Sequence, residues 1–569
     1  MDLLKTPAFA AHVESLLKEH HTPGVSIAIV HDDTFSSAAF GKSVISSDAG
    51  SEERDCTPDT LFDIASCSKS LTAAAVALLV EDDVNFPNVK WDSKMSDLLP
   101  EDFVLEKDEY TRDVTIEDIL SHRSGLPSHD SVYMGTKAKR PDTAKSITRK
   151  LRHLPLAKPI RSSHMYCNLM FTVATHLIET LTDKTFSEFL QERIFAPLNL
   201  TSTFLQPSSV PPADRDSRLA CGYSYRESTS TYHAIPVFDT PEDQGAGSII
   251  TSVNDYIVYV HALMTHAPPF TQAIQKALVT PRFALPEYND DRERLQSSTL
   301  IGLGWEIFYY RGHRVVQHDG SISGLTSTHF FLPARNFAAV ILCNGDAGYP
   351  AVAALVRELI DQTLGVEPSQ RLDWPEIFTR GRGVRGEAES EDADGEQKNE
   401  EEKAPSSIDT AGAKDMAELT LADQPEKERG SEEKYIPPPF PTSDLPLDRF
   451  TGEYHHAGYD SFVVGVRASP EGGEALFIDA ADRCMGFGIA LEFVCRAEAG
   501  GDASSPSPSE VKFLAYLTDV DECETEILEA VFVVDGDDRT DAGGKIGKAR
   551  RLGINLDEDI EGLIWFERV

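Results

Sequence analysis

The residues best suited to chemistry lie in the run Phe62-Asp63-Ile64-Ala65-Ser66-Cys67-Ser68-Lys69, where Ser66 and Lys69 stand three positions apart. On a helix that spacing puts both on one face, one turn apart. A serine at a helix start has its hydroxyl near unsatisfied backbone N–H groups and the positive dipole end, which favours an anion forming there. Burying the lysine ammonium without a full set of counterions disfavours its charged form, so a neutral amine could accept the serine proton. The pair then reads as nucleophile and base. The plainer alternative is a serine cap with a lysine reaching solvent.

Spacing alone does not decide between them, because Ser15 and Lys18, Ser431 and Lys434, and Ser509 and Lys512 share it. Context does. A short apolar run leads into Ser66, and the stretch Lys69 to Glu81, KSLTAAAVALLVE, is apolar on nearly every side. In a globular protein that is a helix buried in the middle of its domain, and whatever begins it is held rigidly.

Two more segments carry polar groups next to apolar elements. Tyr166-Cys167-Asn168 feeds the helical pattern Leu169 to Glu179, and Tyr166 and Asn168 share one side if the chain there is extended. Val315 to Gly324, which holds His318, Gly320 and Ser321, reads as a loop whose glycines let backbone N–H groups approach a ligand. The pairs His20-His21 and His455-His456 lack a third ligand at useful spacing, so no metal is implied, and no cofactor either. Cys67 and Cys167 read as small core fillers.

Taken together, Ser66-x-x-Lys69, Tyr166-Cys167-Asn168 and His318-Asp319-Gly320, in that order, resemble the serine β-lactamase and penicillin-binding-protein superfamily. Thr115 to Pro127 (TIEDILSHRSGLP) and Gly245 to Ser252 (GAGSIITS) strengthen the likeness. The likeness is to the class C β-lactamase, D-aminopeptidase and esterase-like branch and covers roughly residues 1–370. It implies an acylated nucleophile at Ser66, a partner base at Lys69 and a proton-shuttling phenol at Tyr166. Asn168 would hold the substrate amide or the Lys69 amine. His318 takes the place of the lysine in the family's Lys-Thr-Gly strand. The oxyanion hole would be the backbone N–H groups of Ser66 and Ser321, reached past Gly320. A histidine at 318 instead of a fixed charge weakens carboxylate recognition near neutral pH, and with no export signal this argues against antibiotic hydrolysis. His122 and Arg123 are expected to support the site wall, and Gly302 to Trp305 to be strand and packing aromatic.

The implied function is a serine hydrolase acting on an ester or amide of a small molecule or short peptide through an acyl-enzyme. An acyltransferase of secondary-metabolite biosynthesis using the same residues, or a binding-only pseudoenzyme, are the alternatives.

The surrounding elements fit an α+β domain. Leu3 to His20 has helical spacing, and Gly24 to Val30 pairs with Ser36 to Phe40 as strands. The expected organisation is a β-lactamase-like domain at 1–375, an antiparallel sheet flanked by helices plus an all-helical part. An acidic disordered linker at 376–440 and a small all-β barrel at 441–569 follow. Leu447 to Tyr454 resembles the opening strand of a lipocalin-like barrel, and Gly500 to Ser509 reads as a hairpin loop within it. Relatives of this shape leave a homo-oligomer open. The chain carries 53 Lys plus Arg against 93 Asp plus Glu, a net charge of −40, which argues against a nucleic-acid partner. Much of that charge sits in the linker, as solvation of a tether. No apolar run is long enough to span a bilayer. The first residues show no leader pattern, and the eight cysteines form no CxxC pair. A cytoplasmic protein with reduced thiols is the expectation.

Overall fold

Gly24–His31 is buried on both faces because its neighbours cover both. Val25 and Ile27 face one apolar layer, and Ala28 and Val30 the other. Phe337–Cys343, its antiparallel partner, alternates the same way, with Ala339 and Ile341 on the first side and Val340 and Leu342 on the second. Strands of this kind read as continuous apolar runs and form the middle of a covered sheet. In the computed structural model, which describes residues 3–46, 53–286, 295–379, 445–468, 473–497, 509–519, 525–534 and 547–569, they sit in an antiparallel sheet of nine strands among the described residues. Its order is Arg54–Asp55, Thr34–Val44, Gly24–His31, Phe337–Cys343, Leu325–Leu332, His313–Ile322, Glu306–Tyr310, Leu300–Ile301 and Phe283–Ala284.

Helices Pro7–Glu19 and Tyr349–Leu364 close one side of the sheet. The first starts where Thr6 accepts a bond from the Phe9 N–H. Phe378 packs in the same layer against Trp374, so this core reaches into the segment read as linker, of which residues 380–440 lie outside those described. On the other side lies Ser68–Val80, with all thirteen residues buried, as its composition requires. Asn168–Thr182 and Val253–Thr265 pack around it. Among the described residues no helix is long and apolar enough to cross a membrane.

The C-terminal strands Gly452–His456, Asp460–Ala468, Glu474–Ala480, Phe487–Ala497, Ser509–Asp519, Thr525–Val534, Ala549–Ile554 and Ile564–Arg568 close into an eight-stranded barrel. Tyr454 pairs with Arg568 to complete the circle. Residues Phe462, Ile478, Ile489, Phe513, Phe532 and Phe566 fill it, and closure removes the exposed edges. Leu447–Arg449 is a 3-10 turn instead of part of the first strand. The hairpin loop read at 500–509 falls outside the described residues apart from Ser509, which opens a strand.

A second difference concerns the segment around His318. It is not a loop: His313–Ile322 is a strand whose residues Val316 to Ile322 pair with Leu325 to Phe331, and the turn is at Ser323-Gly324. Its other neighbour, Glu306–Tyr310, ends opposite Gln317, so strand pairing on that side stops there. Past that point the strand lies on the Ser66 turn. A Cβ at Gly320 would stand 2.4 Å from the Ile64 carbonyl and 2.3 Å from Ser327 Oγ. The glycine is therefore required by the close approach of protein backbone.

Gly320→Ala should accordingly cost about 1–3 kcal/mol, as overpacking of a tight contact does, and lower the melting temperature. Gly465→Ala, in a barrel strand with nothing within 4 Å of the added carbon, should leave it unchanged. Equal melting temperatures for Gly320→Ala and the parent would contradict this packing.

Candidate active site

Ser66 lies in the 3-10 turn Ala65–Cys67, which runs straight into Ser68–Val80. Between Thr60 and Val80 every residue is buried except Ser66, which is half-buried and open to the cleft. Ala65 is held at φ +45°, and the Asp63 carboxylate accepts its N–H at 2.8 Å. Burial pushes Asp63 up to about 6. Behind the turn, Tyr256 donates to the Cys67 carbonyl at 3.0 Å. His329 Nδ1 lies 2.9 Å from the same phenol oxygen and is thus the donor to it. Cys67 Sγ donates to the His318 carbonyl and accepts from Ser327, which fastens the turn to the sheet.

Ser66 Oγ accepts from Lys69 Nζ at 3.0 Å and from Tyr166 Oη at 2.9 Å. Lys69 is fully buried and also donates to the Ala246 carbonyl at 2.9 Å. Its Nζ stands 4.9 Å from the Tyr166 ring centre and 5.5 Å from that of Phe171. Ala246 belongs to the segment Gly245 to Ser252, which Thr72 and Ser68 bind through the Gly245 carbonyl and the Ile249 N–H. The segment was visible in the sequence, but its part in fixing the lysine was not, because a carbonyl carries no side-chain signature.

Tyr166 is 38% exposed, and its ring stacks on His122 at 4.3 Å and 23°. His122 sits at φ +55° and accepts the Cys167 N–H on Nδ1. Burial holds its imidazole well below the ordinary histidine range, so it packs as a neutral ring. Arg123 spans Asp118, Glu117 and Ser121, as expected of a wall residue. Trp305 is buried, edge-on to His329 at 4.6 Å, and packs behind the site.

Asn168 is the first residue of its helix and turns its amide to Asp130, at 3.1 Å, and not to Lys69. Asp130 is exposed, and desolvation by its neighbours raises its carboxyl to about 6. Asp243, in the turn that leads to Ala246, is raised to about 7 by burial, with the nearby Lys69 opposing and Asp130 adding to the shift. Its Oδ1 has no hydrogen-bond partner. Sequence reading missed both aspartates, which belong to no motif and meet only in the fold.

His318 is 5% exposed with Nδ1 2.6 Å from the Asp319 carbonyl. Burial, then the neighbouring Lys69, lower it to about 4, so it is neutral over the physiological range. Ser321 is exposed at the strand tip opposite Thr326, two residues beyond Asp319. A serine oxygen flanked by an amine and a phenol can attack a carbonyl and have its proton moved within hydrogen-bond reach.

A family model described as Beta-lactamase matches residues 9–363. The chain is 32% identical over 459 residues to the unguisins hydrolase of Aspergillus campestris, covering 80% of this chain and 77% of that protein. It is 24% identical over 374 residues to the D-aminopeptidase of Brucella anthropi, covering 64% of each. The octameric penicillin-binding protein homologue from Pyrococcus abyssi matches in structure with a TM-score of 0.54 at 17% identity, covering 98% of both chains, a likeness of fold. With the motif order, the sheet and the extent of the match agreeing, the chain belongs to the beta-lactamase family of serine hydrolases.

Proposed function

We propose that this protein cleaves an amide or ester bond of a small molecule or short peptide through an acyl-enzyme on Ser66, and that it favours substrates bearing an amino group. The observation that carries the reading is the placement of Ser66 Oγ between Lys69 Nζ at 3.0 Å and Tyr166 Oη at 2.9 Å. In the reactive form the Lys69 nitrogen offers a lone pair. Ser66 Oγ bonds to the carbonyl carbon while its proton passes to Lys69, and the carbonyl oxygen gains the negative charge. The N–H groups of Ser66 and Ser321 are the donors assigned to that oxygen. Tyr166 gives its proton to the departing nitrogen or oxygen and recovers one from Lys69. Water then attacks the ester carbon, with the same groups moving protons in reverse. His318, neutral and buried, shapes the cleft near Lys69 and brings no charge to a carboxylate.

The preference for an amino group rests on Asp130, an exposed carboxyl that accepts the Asn168 amide at 3.1 Å, with Asp243 adding to the field around Lys69. A substrate ammonium there would draw both toward their ionised forms. Relatives named for hydrolysis of unguisins and for D-aminopeptidase activity support amide substrates.

Ser66→Ala should abolish labelling by a fluorophosphonate and lower turnover by ~10³-fold or more, with the circular dichroism spectrum unchanged. Persistent labelling would refute the assignment. With D- and L-alanine p-nitroanilides and their N-acetyl forms as substrates, the free amines should have the lower KM. That advantage should fall as pH drops from 7 to 5, because Asp243 and then Asp130 take up protons on passing about 7 and about 6, while an amine of ordinary pKa near ~8 stays charged. Asp130→Asn should reduce the advantage about tenfold, the worth of one charged hydrogen bond. An advantage that grows on acidification would contradict the proposal.

A further inference from the structure

Resting on the reading of Ser66 as the acylated residue, we propose that Asp557 of the C-terminal barrel is a positioning residue that holds the Ser128–Asp130 turn and, through it, Asn168.

The turn that carries Asp130 runs into the 3-10 turn Asp130–Val132, where the Val132 N–H donates to the His129 carbonyl at 3.0 Å. Its His129 adopts φ +49°, a left-handed conformation that a non-glycine residue keeps only when its surroundings impose it. What imposes it comes from the barrel. Asp557, in the connection between the last two strands and 7% exposed, accepts the His129 backbone N–H at 2.9 Å and the Ser128 hydroxyl at 3.3 Å, both on Oδ2. Its other oxygen accepts the Asp559 N–H, which fixes the carboxylate in its own loop. The His129 ring is fully buried between two partners. Nε2 faces the Pro155 carbonyl at 2.9 Å, which can only accept, so Nε2 carries the proton. Nδ1 therefore accepts from the phenol of Tyr459, 2.5 Å away, in the turn between the first two barrel strands. Desolvation keeps that phenol well above its usual range and so protonated. That turn is shaped in its own right, since His456 Nδ1 accepts the N–H groups of Gly458 and Tyr459.

From this node the route to the cleft is short. Asp130 follows His129 directly and accepts the Asn168 amide at 3.1 Å. Ser66, Lys69 and Tyr166 hang on other supports: the buried helix, the Ala246 carbonyl and the His122 ring. Loosening the Ser128–Asp130 turn should thus disturb how a substrate lies along Asn168 and Asp130 while leaving the reacting oxygen in place. The barrel also grips the next residues, with Gly135 N–H donating to the Asp482 carbonyl at 2.8 Å and Cys484 N–H to the Tyr133 carbonyl at 3.0 Å. A side chain at Gly135 would meet the Arg483 carbonyl at 2.9 Å.

The test uses the full chain with Asp557→Ala, Asp557→Asn and Tyr459→Phe. Each is treated with a small fluorophosphonate, which needs only Ser66, and with a D-alanyl phosphonate ester, which must also lie along Asn168. In Asp557→Ala the second labelling rate should fall about tenfold, on the scale that small misplacements of positioning groups produce, with the first within about twofold of the parent. Asp557→Asn keeps one acceptor oxygen for both bonds but turns its NH2 toward the Asp559 N–H, so it should restore the second rate in part, which a requirement for charge alone would not allow. Hydrogen exchange of the peptide spanning residues 126–133 should quicken in Asp557→Ala and Tyr459→Phe. Unchanged exchange, or a parallel fall of both labelling rates, would overturn the inference. Absence of any Ser66 labelling in the parent would instead defeat the reading on which it rests, and exchange in that peptide would still decide whether the barrel holds the turn.

Discussion

The site depends on burying a lysine amine in a helix that offers it almost no polar company. Ser68–Val80 is enclosed on all sides, so Lys69 cannot reach water along its own stem, as a surface lysine would. It finds instead the Ser66 oxygen, one carbonyl and two aromatic faces. The cost of this arrangement is met by the packing of the whole central layer, and the return is a nucleophile whose neighbours cannot wander. Preorganisation of this kind is what makes a weak alcohol useful, since the donors and acceptors are in place before the substrate arrives.

Much of this was legible in the sequence. The apolar run Ala73 to Val80 that follows the Ser66 turn can be satisfied only by burial from every direction, and helix Ser68–Val80 is buried throughout. The alternating runs of the C-terminal part could likewise only be strands with an inside and an outside, and they close into a barrel. What could not be read depends on long-range meetings. Strand pairing turned the stretch around His318 from a loop into a strand, and the requirement for Gly320 came from the Ile64 carbonyl, more than 250 positions away. Asn168 was placed in the cleft by its neighbour Tyr166, but its partner Asp130 was invisible, because a single aspartate in a polar loop has no pattern. The contacts between the barrel and the Ser128–Asp130 turn were equally beyond reach, being made by Tyr459 and Asp557 from two separate loops.

Desolvation sets the charge of nearly every group around the cleft, and it does so in opposite directions for acids and bases. Asp63, Asp130 and Asp243 are raised to about 6 or 7, and His318 and His164 are lowered to about 4. A histidine whose folded pKa is depressed favours the native state above its unfolded value near ~6.5, and that contribution is lost as the pH falls. A carboxyl whose folded pKa is raised acts in reverse, favouring the native state below its unfolded value near ~3.9 and losing that contribution as the pH rises toward 6 or 7. Between these limits the two sets oppose each other, so the enclosed cleft can hold several titratable groups without tying its folding to one narrow pH. Function is not levelled in the same way. Asp130 is exposed whereas Asp63 and His318 are buried, so a falling pH changes the charge that the site presents to solvent at Asp130.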